Sequence, residues 1–262
     1  MNQAPSKIYF LLFLAIVIAA VCLVKIKERY QVTESNLPEK QNISPLPPAS
    51  NGLETASSSS ATGYELPATL LLPVPFTPQA PTANWDELHN QACEEASAIM
   101  AAFYFSPPKT GTEKGVALDP KIVESEIQKL TEWQDKNFGY HLSINSEETA
   151  KMNKEVYGLK AEIVENFDEA TLKKTLADGK LILLPANGRM LLNPNFKSPG
   201  PKYHMLVIKG YNSQGFLTND PGTKKGLNYP YSFVTLYNAN GDYEHTTEEV
   251  DTKQKNVIMI WK

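Results

Sequence analysis

The chain has 262 residues, 42% of them apolar, and its 25 basic and 29 acidic side chains leave a net charge of −4. This is enough apolar material for one mid-sized domain or two small ones, and without a basic block there is no electrostatic footprint for nucleic acid. Of the two cysteines, Cys22 lies in an apolar N-terminal run and Cys93 stands alone in the rest, so no disulfide can form within that part.

The run "IYFLLFLAIVIAAVCLV", residues 8–24, is uncharged, with Lys7 before it and Lys25, Lys27 and Arg29 after it. At about 1.5 Å per residue it reaches roughly 26 Å, the short end of what a bilayer core requires. No small-residue cleavage site follows Val24, so a retained transmembrane helix is expected over 8–24, within a membrane anchor of residues 1–29. Val21 before Cys22 does not fit a lipid-anchor site, so Cys22 reads as an ordinary apolar residue. Residues 30–66 form a tether whose heart, "LPEKQNISPLPPASNGLETASSSSA", is too rich in Ser, Pro and Asn to fold. The positive charge after the span would by itself hold the bulk of the chain in the cytoplasm. The stalk-like tether favours the other orientation, a single-pass membrane protein with an extracytoplasmic domain.

From 67 to 262 the pattern predicts one α+β domain. "ATLLLPVPF" reads as a strand, and Gln91–Phe105 as a helix with a stripe of Ala92, Ala96, Ile99, Met100 and Phe103, stopped by Pro107 and Pro108. A second helix begins at "LDPKIVESEIQKLTEW", with Asp119 as cap and Pro120 in the first turn. A third is expected over "SEETAKMNKEVYG", capped by Ser146 and stopped by Gly158. Then come a strand "LKAEIVE", a helix "DEATLKKTLADG" and a buried strand "KLILLPA". A Pro/Asn/Gly-rich loop leads to a hairpin, "HMLVIKGYNSQGFLTNDPG", and "KNVIMIWK" closes the chain as a strand. Helices first and antiparallel strands later give the α+β class.

Within the hairpin, a turn centred on Asn212 sets Ile208 opposite Phe216, Leu206 opposite Thr218 and His204 opposite Asp220. Cross-strand partners lie about 5 Å apart on one face. A carboxylate beside an imidazole orients it as a base, and a thiol at a helix start is favoured as an anion. Cys93, His204 and Asp220 are therefore a candidate nucleophile, base and orienter. Two carboxylates, Glu94 and Glu95, follow the cysteine directly. At about 100° per residue Glu95 turns nearly opposite Cys93, so Glu94 alone should be felt by the thiol, and both acids suit a first helical turn.

Bland readings stand beside these. A lone cysteine in an Ala-rich helix is usually packing, and Asn-Asp-Pro-Gly is a common turn. His89, four residues before Cys93, supplies too few local ligands for a metal. His141 and His245 have no evident partner, and Trp85 and Tyr203 could line a cleft or simply pack.

"VPFTPQAPTANWDELHNQACEEASAIM", "YHMLVIKGY" and "TNDPG", in that order, resemble the papain-like cysteine peptidases of family C39 and their C39-like relatives, named for bacteriocin-processing enzymes that cut after a double-glycine leader. The resemblance implies a papain-like fold with a nucleophile helix packed on an antiparallel sheet. It also implies a Cys93–His204–Asp220 triad, hydrolysis of a peptide or protein substrate, and neither cofactor nor metal. An oxyanion-hole glutamine is implied at Gln79, with Gln91 as a rival because of the long interval before the cysteine. Many relatives carry Gly-Pro where this chain has Glu94 and Glu95, and the chain holds no transporter ATPase segment. Two other readings stay open: a catalytically silent peptide-binding domain and an acyltransferase using the same triad.

Overall fold

The computed structural model describes residues 65–108 and 115–262. The expected membrane span, Cys22 and nearly all of the tether lie outside them. Among the described residues no helix is long and apolar enough to cross a membrane.

Nine strands and five α-helices are described. They are β1 (Leu70–Leu71), α1 (Cys93–Phe105), α2 (Pro120–Asn137), α3 (Ser146–Tyr157), β2 (Lys160–Glu165), α4 (Glu169–Ala177), β3 (Leu181–Asn187), β4 (Tyr203–Asn212), β5 (Gly215–Asn219), β6 (Tyr229–Tyr231), α5 (Phe233–Ala239), β7 (Asp242–Glu244), β8 (Glu249–Asp251) and β9 (Asn256–Trp261). An antiparallel sheet runs β2-β9-β3-β4-β5-β6, with β1 paired to β4, while β7 and β8 form a separate hairpin.

The central strands are covered on both faces, which explains the unbroken apolar run of β3. Leu181, Leu183, Met205, Val207, Ile258 and Ile260 pack with α1, α2 and α3. Their neighbours Ile182, Leu184, Leu206, Ile208 and Val257 pack with α4 and α5 on the other side. Every residue of α1 from Cys93 to Phe103 is buried, so the helix is enclosed all round and not merely along the expected stripe.

The helix ends follow from local chemistry. Asp119 accepts from Lys121 N, and Pro120 opens α2, as the sequence predicts. The cap of α3 is Asn145 and not Ser146: Asn145 and Glu148 form a reciprocal capping box. Ser146 instead gives its N–H to Asp242 and its hydroxyl to Asn256. The expected strand "ATLLLPVPF" shrinks to β1, because after Leu71 the chain leaves the ladder and runs as a strap bonded to β4 and β5. The sequence analysis did not anticipate β6, α5, β7 or β8; α5 and the β7–β8 strands are too short for periodicity to show.

The β4–β5 hairpin differs from its expected register. Ile208 faces Thr218, not Phe216, and Val207 faces Asn219. The turn is Ser213–Gln214, closed by Gly215, and a bulge at Lys209 adds a residue to β4. Near Ile208 the displacement amounts to an even number of residues, which leaves each side chain on its own face.

Ile258 is fully buried in β9, between β2 and β3. Ile258→Ala should cost about 3 kcal/mol of stability, seen as a lower urea midpoint at unchanged slope.

Candidate active site

Cys93 opens α1, immediately after a 3₁₀ turn at His89–Gln91. Its thiol is buried and donates to Glu94 Oε2 at 2.8 Å, while Glu94 Oε1 accepts from Ile144 N at 2.9 Å. The backbone of Met205, the residue after His204, lies near the sulfur and pulls its pKa slightly back down. Ser97, one turn along α1, donates to Met205 O. Helix α1 is thereby fastened to β4 next to His204.

His204 Nε2 lies 2.8 Å from Asp220 Oδ1, with both side chains buried. Asp220 needs no strand pairing to get there: the chain turns over at Pro221 and Gly222, and Gly222 N returns to Asp220 Oδ1 at 3.0 Å. The second oxygen accepts from Asn193 Nδ2 at 3.0 Å and from Tyr231 OH at 2.6 Å. Burial pushes the Asp220 carboxyl up, but His204 and these hydrogen bonds outweigh it and hold the group below the usual carboxylate value. Two glycines make the turn possible. A Cβ on Gly222 would come within 2.9 Å of His204 Cε1 and 2.7 Å of Phe196, and one on Gly226 would fall 1.7 Å from Asp220 O.

Among the described residues no hydrogen bond joins Cys93 to His204. Tyr203, Met205 and Val207 belong to the core that holds Cys93, and Leu206 and Ile208 to the opposite one. His204 follows that alternation, and its ring meets the edge of Phe196 at 5.3 Å. The thiol itself is not in the anionic state that a helix start predicts. Burial pushes it well above the ordinary cysteine value, the charge and hydrogen bond of Glu94 push it further, and Glu95 adds to this.

Both acids depart from expectation, since each is only 1% exposed. Glu95 does turn away from the thiol, yet it points into the protein, where Oε1 accepts from Gln134 Nε2 and Oε2 has no partner. Its carboxyl is pushed up to about 7 by burial, against the pull of the Gln134 bond. Glu94 is raised well above the usual range, by burial first and then by Glu95. Helix stability does not account for a buried pair of this kind, because the dipole term operates at exposed ends at a few tenths to one kcal/mol, less than the cost of burying an unpaired carboxylate.

Gln79 reaches the site along the strap. Leu72 N bonds Lys209 O, Asn219 Nδ2 bonds Pro75 O, and Gln79 N bonds Pro221 O at 2.9 Å. Its side-chain Nε2 donates to His89 O at 2.8 Å, four residues before Cys93. Gln79 thus bridges the Asp220 loop and the approach to the nucleophile, whereas Gln91 accepts from Ser143 Oγ. Lys209 is buried in the bulge with Nζ on Val74 O, and burial lowers its ammonium to about 8.

The other sequence candidates separate. His141 pairs with Asp135, and His245 with Glu148 and Tyr140, so both have partners that the sequence did not show. Tyr203 is buried, and Trp85 is half-exposed. Asn193, Phe196, Gly222 and Tyr231 went unnoticed; only the glycine after "NDP" left a local signal.

With this geometry in place, a model of the Peptidase C39-like family matches residues 71–249. The chain belongs to that family. The matched stretch contains Gln79, Cys93, His204 and Asp220 and ends where β8 begins. Among solved structures, that of a Bacillus anthracis protein assigned as a C39-like peptidase covers 74% of this chain and 98% of its own, at 15% identity and a TM-score of 0.47. Among curated proteins, none matches the chain.

Two consequences follow from the buried acids of this C39-like chain. Glu94→Gln should lower the pH at which Cys93 becomes reactive to iodoacetamide, and Glu95→Gln should lower it less; equal shifts would refute the geometry. A carboxyl raised in the folded state stabilises most below its unfolded value of 4.5 and loses that contribution as pH rises through about 7. Glu95→Gln should therefore gain more stability over the parent at pH 8 than at pH 5, measured by urea denaturation at both.

Proposed function

We propose that the chain is a cysteine peptidase in which Cys93 attacks a peptide carbonyl, His204 takes and returns the proton, and Asp220 orients His204. The observation that carries this reading is the His204–Asp220 hydrogen bond, buried and braced by Asn193, Tyr231 and Gly222. A carboxylate so fully satisfied fixes an imidazole in one orientation and stabilises its protonated form. With Nε2 committed to Asp220, Nδ1 is the nitrogen left to receive the thiol proton.

The resting thiol is turned to Glu94, and burial keeps it protonated, so the cycle does not start from a standing thiolate. Because His204 lies on the other face of β4 from the core around Cys93, proton transfer requires both that the thiol leave Glu94 and that the start of β4 shift to present the imidazole as substrate enters. The sulfur then bonds the carbonyl carbon while its proton passes to His204. Collapse of the tetrahedral intermediate expels the amine with that proton and leaves a thioester, which water hydrolyses with His204 as base. The amide of Gln79 and the backbone N–H of Cys93 are the donors for the oxyanion, each worth about 3 kcal/mol. An amine in place of water would make the same site an acyltransferase.

The substrate reading is a peptide or protein. The apolar run at 8–24 leads us to place the domain on a membrane, with the tether holding it on the extracytoplasmic side.

A second reading has one observation in its favour. A thiol raised by burial and bonded to Glu94, with no bond to His204, is also what a silent peptide-binding domain would show. The two are separated by a fluorogenic peptide library and a thiol-directed acyl probe. As a peptidase, the chain cleaves the library and labels at Cys93, and Cys93→Ala and His204→Ala each lose at least about 10³-fold in kcat/KM with the thermal transition retained. Hydrolysis that survives in either variant removes the triad, and an unlabelled, inactive parent leaves the binding domain.

A further inference from the structure

His89 is 2% exposed, yet both of its ring nitrogens meet carboxylates. Nδ1 lies 2.7 Å from Asp86 Oδ1, and Nε2 lies 2.9 Å from Glu124 Oε1 on α2. Its backbone N–H also donates to Asp86 Oδ1, at 2.9 Å. A carboxylate thus meets each ring nitrogen, so the imidazole is held from both sides. The acids are themselves held: Asn84 donates to Asp86, and Thr82 to Glu124. The ring is therefore clamped at both ends across the gap between the loop before α1 and helix α2, and the triad uses none of these groups.

The other end of the residue reaches the site. The His89 carbonyl accepts from Gln79 Nε2, and a carbonyl can only accept, so it decides which way the Gln79 amide lies. The opposite atom, Gln79 Oε1, is buried without a partner. A buried, unsatisfied oxygen costs about 1–3 kcal/mol, so the amide would not keep this orientation unaided. One N–H of the Gln79 amide is thereby committed to His89, and the second remains for another acceptor.

We propose that His89 is a positioning residue: the Asp86–His89–Glu124 clamp fixes the His89 carbonyl, and that carbonyl holds the Gln79 amide in the orientation needed to donate to the oxyanion. This rests on the peptidase reading above. A clamp acting through an oxyanion donor stabilises charge that exists only in the transition state. It should change turnover while leaving substrate binding and thiol ionisation alone.

The test uses the full chain with the near-isosteric Glu124→Gln and Asp86→Asn, at carboxylates whose side chains are 40% and 46% exposed. Each is assayed on a cleaved fluorogenic peptide, alone and in a Gln79→Ala background, with iodoacetamide alkylation and thermal transition followed in parallel. Each variant should lower kcat about fivefold to tenfold, a fraction of the roughly 10²-fold that one oxyanion donor is worth. KM and the alkylation rate should stay within about twofold, and the loss should vanish once Gln79 is Ala, because the clamp then has nothing to orient. An equal loss in the Gln79→Ala background, a parallel fall in alkylation, or no loss in kcat overturns the clamp. Cys93→Ala serves as the control that separates the two readings. Residual hydrolysis there overturns the nucleophile, whereas its full loss beside unaffected clamp variants overturns the clamp alone.

Discussion

A fully buried carboxylate must be surrounded by donors, and the architecture around the candidate site answers to that requirement at Asp220. Its two oxygens draw on His204 from β4, Gly222 from its own turn, Asn193 from the loop after β3 and Tyr231 from β6. Four separate segments converge because any one left out would strand a lone pair in a low-dielectric interior, where the penalty is largest. The short strand β6 supplies Tyr231, and the tight 220–226 turn, closed over Gly222 and Gly226, supplies the backbone donor. The imidazole is oriented as a by-product of burying the acid.

At the other end of the site the same physics gives the opposite result. Glu94 and Glu95 are buried without cations, which raises both carboxyls, and the thiol is raised by its own burial first and by Glu94 next. Asp220 is held below the usual carboxylate value because His204 lies beside it and each oxygen meets two donors, while Glu95 is raised to about 7, by burial first, with one oxygen left unpartnered. Under these conditions the thiol of Cys93 is held protonated, and in the proposed cycle it becomes reactive only on leaving Glu94. Between the two ends runs the strap of residues 72–79, bonded to Lys209 of β4 and Asn219 of β5 and ending on Gln79, which touches both the Asp220 turn and the residues leading to Cys93.

Much of the scaffold could be read from the chain. Asp119 and Pro120 announced α2, Gly158 ended α3, and the runs "LILLPA" and "NVIMIW" were buried strands, because caps and apolar continuity are local properties. The hairpin turn was misplaced because nothing in "IKGYNSQG" marks a bulge at Lys209, which depends on β1 crowding Gly210 from the other side. Asn193 and Tyr231 could not be found as partners of Asp220, since they lie 27 and 11 residues away in segments with no periodicity.

The order of Gln79, Cys93, His204 and Asp220 along the chain, together with the texts that surround them, was determined by the sequence alone, and so was the mixed α and antiparallel β character. What only the tertiary structure decided is the state of each group. Helical rotation correctly turned Glu95 away from the thiol, but rotation cannot tell whether the far side of a helix meets water or α2. That side meets Gln134, and the charge is therefore buried. Whether a carboxyl is ionised, and so whether a thiol beside it is quiet or reactive, depends on the dielectric and the donors that other elements bring. Those come from residues distant in the chain, and no local pattern records them.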